Sequence, residues 1–572
     1  MRSPRAFLAF LVCVAVGLGV SARAHEGHDH RNAPPYAQGV LLMDRGLWEE
    51  AADAWTEYLH ANPLHGGAWF ELGMARVKLR DYREAIPAYE RALAYGHSVP
   101  EAAYNVAACH ALLGNADDAL RALRRAFELG FDDRALAEAD PDFAPLRASA
   151  EFREIVHGID RSSLDRIEGW RADVDAVLER IETRHPEPDR FVTREAFREA
   201  AASLKKRVSE LSDEAVVVEL LRLVAKVGDG HTVLGVPGQR FDGTPAHGRD
   251  PVSAFRRLPI RLHAYADGWV VQSATEEHAS IVGWKLARVG SHSVDAVFET
   301  VAPLCSRDND QTVLDRAPEY MVCPEILHAL GILETRDRAT LLLEDASSNR
   351  VSYEVEAIAL RAQERWTSLG DASTEPVPLR RARPGEAYWF EPLDDRTVYV
   401  QLAALRDAGD EPIAAFVERL LAYFDERRVE RVVLDLRRND GGNELWGRPL
   451  VDGLACRSAI NRPGRLFALI GRRTYSAAVC LCADLERRTN VIFAGEATGS
   501  SPNFLGESST TALPWSGLSL GVSRLRWQTS DPWDRRLWIP AEIPAPLASA
   551  DERENRDPAL EAVLAFRNPT AP

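Results

Sequence analysis

"RLFALIGRRTYSAAVCLCADLERR", residues 465–488, joins an apolar run, a short polar junction and a helical run in one stretch. The run from Leu466 to Ile470 is short and uniformly apolar, which reads as a buried strand, and the segment from Ala477 onward reads as a helix. The same alternation recurs around it. "RTVYVQLAAL" (396–405), "RVVLDLR" (431–437) and "NVIFAGE" (490–496) are further buried-strand runs, with the helical "EPIAAFVERLLAYFDER" (411–427) between the first two. Strands alternating with helices predict a mainly parallel sheet covered by helices, an α/β domain over 385–572. Ligands of such sheets bind beyond the C-terminal ends of the strands.

Two loops fall at such ends. "RNDGGNE" (438–444) follows one strand, and its Gly441 and Gly442 let backbone N–H groups turn toward an anion. The other is the junction of the opening stretch, where Ser476 precedes a helix whose N-terminus favours negative charge. A hydroxyl beside oriented amides suits acyl transfer. Serine is equally a favoured helix N-cap, so Ser476 alone reads as either.

A nucleophilic serine needs a base. The last histidine of the chain is His328 and the last lysine Lys285, so the α/β domain supplies neither. Any base must come from another domain, and the nucleophile-elbow pattern G-x-S-x-G is absent. His231, in "GDGHTVL" (228–234), sits on a glycine-rich turn after the apolar helix "AVVVELLRLVAKV" (215–227). On its own it reads as structural or as that base.

The 572 residues exceed what one core holds, so several domains are expected. With 46% hydrophobic and 27% charged residues the chain is an ordinary globular protein. The formal net charge of −17, with no compensating basic run, argues against nucleic acid or an anionic membrane as partner. Residues 1–24 have Arg2 and Arg5, an apolar run to Val20, and Ala22 and Ala24 in an A-x-A arrangement, which reads as a secretory signal cleaved near Ala24. An exported protein, periplasmic or extracellular and without stable membrane insertion, is the expectation. Residues 25–34 begin "HEGHDH", whose histidines bind metal weakly at best and fix no geometry; the reading is a disordered tail, with no metal site and no cofactor. Six cysteines follow Cys13, and Cys305 with Cys323 is a candidate disulfide among fifteen connectivities.

Residues 35–157 repeat. Gly39, Gly73 and Ala107 are 34 apart, as are Ala51, Ala85 and Ala119, and Trp55, Tyr89 and Leu123 follow at one offset. This resembles tetratricopeptide repeats, an α-solenoid closed by a capping helix in "DPDFAPLRASAEFREIV" (140–156), and implies a docking surface for a protein partner. Residues 160–245 read as helical and carry His231. Residues 250–360 read as β-rich, and "IVGWKLARVGSHSVDAVFETV" (281–301) resembles a PDZ domain, a fold that binds extended chains by strand addition.

Taken in order, "GDGHTVL", the PDZ-like segment, "RVVLDLRRNDGGN", "RRTYSAAVCLCADLERRTNVIFAGEATGSSPNFLGE", "LPWSGLSLGV" and "DPWDRRLWIPAEI" resemble the tail-specific, or carboxyl-terminal processing, serine peptidase superfamily. That group includes the tricorn core protease and the chlamydial protease-like factor, and the resemblance runs from Asp160 to the C-terminus. It implies a core of the ClpP/crotonase type, α/β/α. It implies Ser476 as nucleophile, with the Ala477 amide and that of Gly441 or Gly442 as oxyanion hole. One branch takes a lysine base after the nucleophile's helix, where this chain has "GEATGSSPN" and no lysine. The other takes a histidine from a G-D-x-H-like motif, which matches His231. Its orienting carboxylate precedes a segment here reading "IPAEI" (539–543), which makes Asp534 the match, with Asp531 and Glu507 as competitors. Asp440 departs from the pattern by placing a carboxylate beside the oxyanion loop. The expected activity is hydrolysis of peptide bonds in protein or peptide substrates; the alternative is a catalytically silent peptide-binding scaffold.

Overall fold

The computed structural model describes residues 35–131, 133–157, 164–237, 255–360, 362, 364–409 and 411–567. The signal-like segment, the histidine-rich tail and the stretch 238–254 lie outside them. The chain divides into two compact units, Met1–Leu164 and Asp165–Pro572.

The first unit is built from three helical hairpins: Pro35–Asp44 with Trp48–Ala61, Gly66–Lys78 with Tyr82–Ala94, and Val99–Leu112 with Ala116–Glu128. The 34-residue spacing has a steric basis. A methyl group on Gly73 would lie 2.8 Å from the Tyr89 ring, so the paired helices approach only because that position has no Cβ. Trp55, Tyr89 and Leu123 are completely buried at the equivalent places. The helix Ala150–His157 closes the stack, with Phe152 and Ile155 packed on Phe127, Phe131 and Phe143.

The second unit centres on a six-stranded sheet in the order Tyr388–Pro392, Thr397–Leu402, Arg431–Asp435, Leu466–Ile470, Ile492–Gly495, Ile543–Pro544. The first pair is antiparallel and the others are parallel. Successive residues face opposite sides: Val432, Leu434, Ala468 and Ile470 pack under the helices Ile413–Arg427, Arg448–Ala455 and Ala477–Arg488. Val433, Phe467 and Leu469 pack under the helix Pro558–Ala565. Both faces are covered, which is why these strands read as continuous apolar runs.

Two further layers carry residues toward the ends of these strands. The helices Arg166–Arg184, Arg194–Arg207 and Asp213–Ala225 end in the short strand Val233–Leu234, which pairs antiparallel with Ser519–Val522. Their docking is tight. Asp173 accepts the amides of Trp515 (2.8 Å) and Ser516 (2.9 Å), and Trp170 meets Trp515 edge to face. The β-rich region forms a seven-stranded sheet that includes Ile260–Tyr265, Gly268–Thr275, Lys285–Val289, Arg338–Glu344 and Arg350–Glu356, with the helix Val294–Val301. Between that helix and Arg338 the chain inserts two more helices, Asp310–Met321 and Pro324–Ala329.

Cys305 and Cys323 are both free thiols, which corrects the candidate disulfide. Cys305 is buried in the apolar core of the β-rich region, while the Cys323 thiol points at Glu325, 3.8 Å from its Oε2.

Candidate active site

The strand Leu466–Ile470 ends in a turn that is pinned before it reaches Ser476. Thr474 is completely buried; its hydroxyl accepts the Gly471 amide and donates to the Leu436 carbonyl. The Tyr475 amide donates to the Asn439 carbonyl at 3.0 Å, strapping this turn to the "NDGG" loop. Ser476 then adopts φ 54°, ψ −127°, a conformation that L-residues rarely hold. It occupies the N-cap position of the helix Ala477–Arg488, yet its hydroxyl makes no capping hydrogen bond. The cap reading therefore accounts for its place and not for its side chain. Backbone strain of this kind costs on the order of 1–3 kcal/mol and persists where the surroundings impose it.

Gly441 is pressed against this serine. A Cβ there would stand 2.8 Å from Ser476 Cβ and 3.2 Å from both the Ser476 hydroxyl and the Ala477 amide nitrogen. The amides around the hydroxyl differ in availability. That of Gly441 donates to Asn439 Oδ1 at 3.0 Å, whereas those of Gly442 and Ala477 have no acceptor among the described hydrogen bonds. Asp440 is exposed. The amide of Ser476 donates to the hydroxyl of Ser500, a completely buried residue, at 3.3 Å.

His231 reaches this place from the helical layer. Its own amide donates to Asp229 Oδ1 at 2.8 Å, and its carbonyl accepts the Ser508 hydroxyl at 2.6 Å, so the turn is held at both ends. The imidazole is sandwiched between the rings of Tyr475 (4.7 Å) and Phe504 (5.3 Å). Nδ1 lies 3.2 Å from the Tyr475 hydroxyl, and Nε2 is buried without a hydrogen bond of good geometry. Burial lowers its pKa, opposed by Asp308 and Asp229 and by the nearby Leu505 backbone.

Two carboxylates face the imidazole. Both oxygens of Asp229 are engaged: Oδ2 accepts from His185 Nε2 at 3.2 Å and from the Thr232 hydroxyl, and Oδ1 from the His231 amide. Burial works against its charge, but these partners outweigh it and hold the carboxyl below its ordinary range. Asp308 accepts the Gly230 amide at 2.8 Å through Oδ1, while its Oδ2 is buried and lacks a hydrogen bond of good geometry. Burial raises its carboxyl against the pull of the imidazole. Arg316 does not neutralise the pair directly. Its guanidinium donates to the carbonyls of Gly230 (2.9 Å) and Ser306 (2.7 Å) and lies over the Tyr475 ring.

Asp308 comes from the insertion between the β-rich helix and Arg338, and that insertion is buttoned to the core. Asn309 donates to the carbonyls of Thr498 and Leu537, and Thr312 donates to that of Gly499. The loop Thr498–Ser500 thus links Asp308's segment to the amide of Ser476.

Asp534, the carboxylate matched by chain order, is engaged elsewhere. It pairs with Arg536 at 2.7 Å and accepts the Ser530 hydroxyl at 2.8 Å. Arg536 in turn pairs with Glu486 on the helix that Ser476 begins. This pairing, chiefly the Arg536 hydrogen bonds, pulls the Asp534 carboxyl down to about 2. Asp531 accepts the Trp533 amide, Glu507 is exposed, and no described contact joins any of the three to His231. Sequence reasoning gave no role to Asp229, Asp308, Arg316, Tyr475 or Ser500; Asp229, Tyr475 and Ser500 lay inside motifs it had singled out, whereas Asp308 and Arg316 did not. Among the described residues, Asp229, His231 and Asp308 also form one group able to hold a metal ion, with ligand atoms all within 4.8 Å of one another.

The arrangement offers a strained hydroxyl, an unengaged Ala477 amide next to it with that of Gly442 in the adjoining loop, and a buried imidazole with a carboxylate against it. A tetratricopeptide-repeat family model matches residues 36–76 and 71–132, so the first unit carries tetratricopeptide repeats. A chloroplastic protein of Arabidopsis thaliana is 31% identical over 96 residues, 16% of this chain and 29% of that protein. The tetratricopeptide repeat-containing protein trd-1 of Caenorhabditis elegans is 26% identical over 215 residues, 37% of this chain and 25% of that protein. The chain thus spans less than a third of the length of either curated relative. Among solved structures it is similar to mature CPAF complexed with lactacystin, at 12% identity and a TM-score of 0.49, over 69% of this chain and 97% of that one. It is also similar to the photosystem II D1 C-terminal processing protease, at 13% identity and a TM-score of 0.32, over 66% and 93%.

Proposed function

We propose that the chain is an exported serine-type endopeptidase whose tetratricopeptide repeats dock a partner or substrate protein. The observation that carries this reading is Ser476 itself: a strained residue at a strand-to-helix turn, with an uncapped hydroxyl next to the unengaged Ala477 amide and against the Gly441–Gly442 loop. In the proposed reaction the Ser476 hydroxyl attacks a peptide carbonyl and its proton passes to His231. The carbonyl oxygen, now anionic, is held by the amides of Gly442 and Ala477. One such donor is worth about 10²–10³ in rate. His231 then hands the proton to the leaving amine, and a water molecule releases the acyl group by the same route in reverse. Asp308 stabilises the charged imidazole in each half, because it has an oxygen to spare and Asp229 does not. The PDZ-like region is suited to hold an extended peptide by strand addition. Among the described residues no helix is long and apolar enough to cross a membrane.

The second reading, a silent peptide-binding scaffold, is favoured by one observation: Nδ1 of His231 is engaged by Tyr475, and no described hydrogen bond joins His231 to Ser476. A fluorophosphonate probe separates the two. Labelling of the wild-type protein that vanishes in Ser476→Ala supports the peptidase; a wild type that never labels supports the scaffold.

A further inference from the structure

The group Asp229, His231 and Asp308 presents a charge problem that the chain itself leaves unsolved. Two carboxylates lie around one imidazole, and the nearby guanidinium of Arg316 spends its hydrogen bonds on the carbonyls of Gly230 and Ser306. Within these residues two atoms, His231 Nε2 and Asp308 Oδ2, are buried and have no hydrogen bond of good geometry. Two buried carboxylates beside one imidazole are costly, and a cation held by the group would offset their charge. The surroundings anchor both carboxylates. Asp229 is fixed by His185, Thr232 and the His231 amide, and Asp308 by the Gly230 amide.

We propose that Asp229, His231 and Asp308 bind a divalent transition cation, zinc being the natural test, and that the bound ion silences Ser476. The donor set favours this class of ion: an imidazole with two carboxylates suits zinc, whereas calcium and magnesium call for oxygen alone. Zinc holds nitrogen and oxygen at about 2.0–2.2 Å in a tetrahedral arrangement, so two ligand atoms of one ion stand about 3.3–3.6 Å apart. The observed atoms lie within 4.8 Å of one another, so side-chain rotation has to close the group by up to about 1.3 Å for a tetrahedral ion. A neutral imidazole has a single lone pair, and a cation that takes it leaves none for the seryl proton. The silencing rests on the reading of Ser476 and His231 as a catalytic pair; the binding does not.

The test uses the full chain with His25, His28 and His30 changed to alanine, so that the N-terminal histidines do not compete for metal. After treatment with a chelator, calorimetric titration with zinc chloride is expected to show one zinc per chain. Cobalt in its place should give the intense visible bands of a four-coordinate ion. Asp308→Asn is expected to weaken zinc by more than the roughly 100-fold that losing a residue behind a ligand costs; should that variant not fold, His231→Ala is expected to do the same. Absence of stoichiometric binding, or unchanged binding in a folded Asp308→Asn, overturns the site. Zinc is also expected to block fluorophosphonate labelling of Ser476, with recovery on chelation. Stoichiometric zinc with undiminished labelling overturns the silencing, whereas zinc binding by a protein that never labels supports the site and sinks the peptidase reading instead.

Discussion

Tyr475 lies face to face with His231, ring centroids 4.7 Å apart, with its hydroxyl 3.2 Å from Nδ1 of the imidazole. The residue that immediately precedes Ser476 therefore holds the nitrogen base proposed to serve it. The hydroxyl has little freedom to leave, since a Cβ on Gly230 would stand 2.1 Å from it and Arg316 covers the ring. Tyr475→Phe keeps the stacking and removes the hold. A hydrogen bond of this kind is worth about 1 kcal/mol, so Tyr475→Phe should label with a fluorophosphonate about fivefold faster than wild type. A slower rate would mean that the hydroxyl aligns the imidazole rather than restraining it.

The strain at Ser476 predicts a stability effect with an unusual sign. At ordinary helical positions alanine is more stable than glycine by about 0.5–1 kcal/mol. At φ 54°, ψ −127° the order should reverse, because alanine keeps the Cβ and glycine releases a strain of roughly 1–3 kcal/mol. Ser476→Gly is therefore expected to exceed Ser476→Ala by about 1 kcal/mol in urea unfolding, with both inactive. Equal or inverted stabilities would show that the turn is relaxed and the serine not held for a purpose.

The two aspartates at issue should separate cleanly by readout. Asp308 faces the imidazole with a spare oxygen, so Asp308→Asn is expected to lower kcat by roughly 10³-fold or more, the scale set by removal of an orienting carboxylate. Asp534 belongs to the Arg536 and Glu486 cluster, so Asp534→Asn should appear first in unfolding, by about 1 kcal/mol or less for a partly exposed pair. A larger loss of kcat in Asp534→Asn than in Asp308→Asn would return the orienting role to the position matched by chain order.

The difference between these two aspartates also marks where the sequence stops being readable. The repeats were legible because a 34-residue period is a local steric rule, visible where Gly73 meets Tyr89. The core strands were legible because both faces are covered and the runs are apolar throughout. Ser476 and the glycine loop were legible because a turn between strand and helix is encoded in adjacent residues. Asp308 was not, because nothing in "SRDNDQT" announces a partner 77 residues upstream, and the insertion that carries it was absorbed into a β-rich region. Asp534 shows a related limit: chain order gave its region, but Arg536, two residues on, competes for its charge. Cysteine spacing likewise said nothing of which thiols are walled off in separate packing environments, as Cys305 and Cys323 are.

His263 predicts how the second unit responds to acid. Its ring packs at 4.5 Å against Tyr265, and burial, with the charges of Arg472 and Arg380, lowers its pKa to about 4. Arg472 is itself fixed, donating to the Ala264 carbonyl and pairing with Glu496. In the unfolded chain an ordinary histidine titrates near 6.5. Between pH 6.5 and 4 the unfolded state thus binds more protons than the folded one, so stability falls as pH drops through that window and is unaffected above it. The full effect of a shift this size is about 3 kcal/mol. Urea midpoints measured from pH 7.5 to 4 should therefore decline, and His263→Gln should flatten part of that slope while leaving the values above pH 7 closer together. An unchanged slope in His263→Gln would show that other groups carry the acid sensitivity.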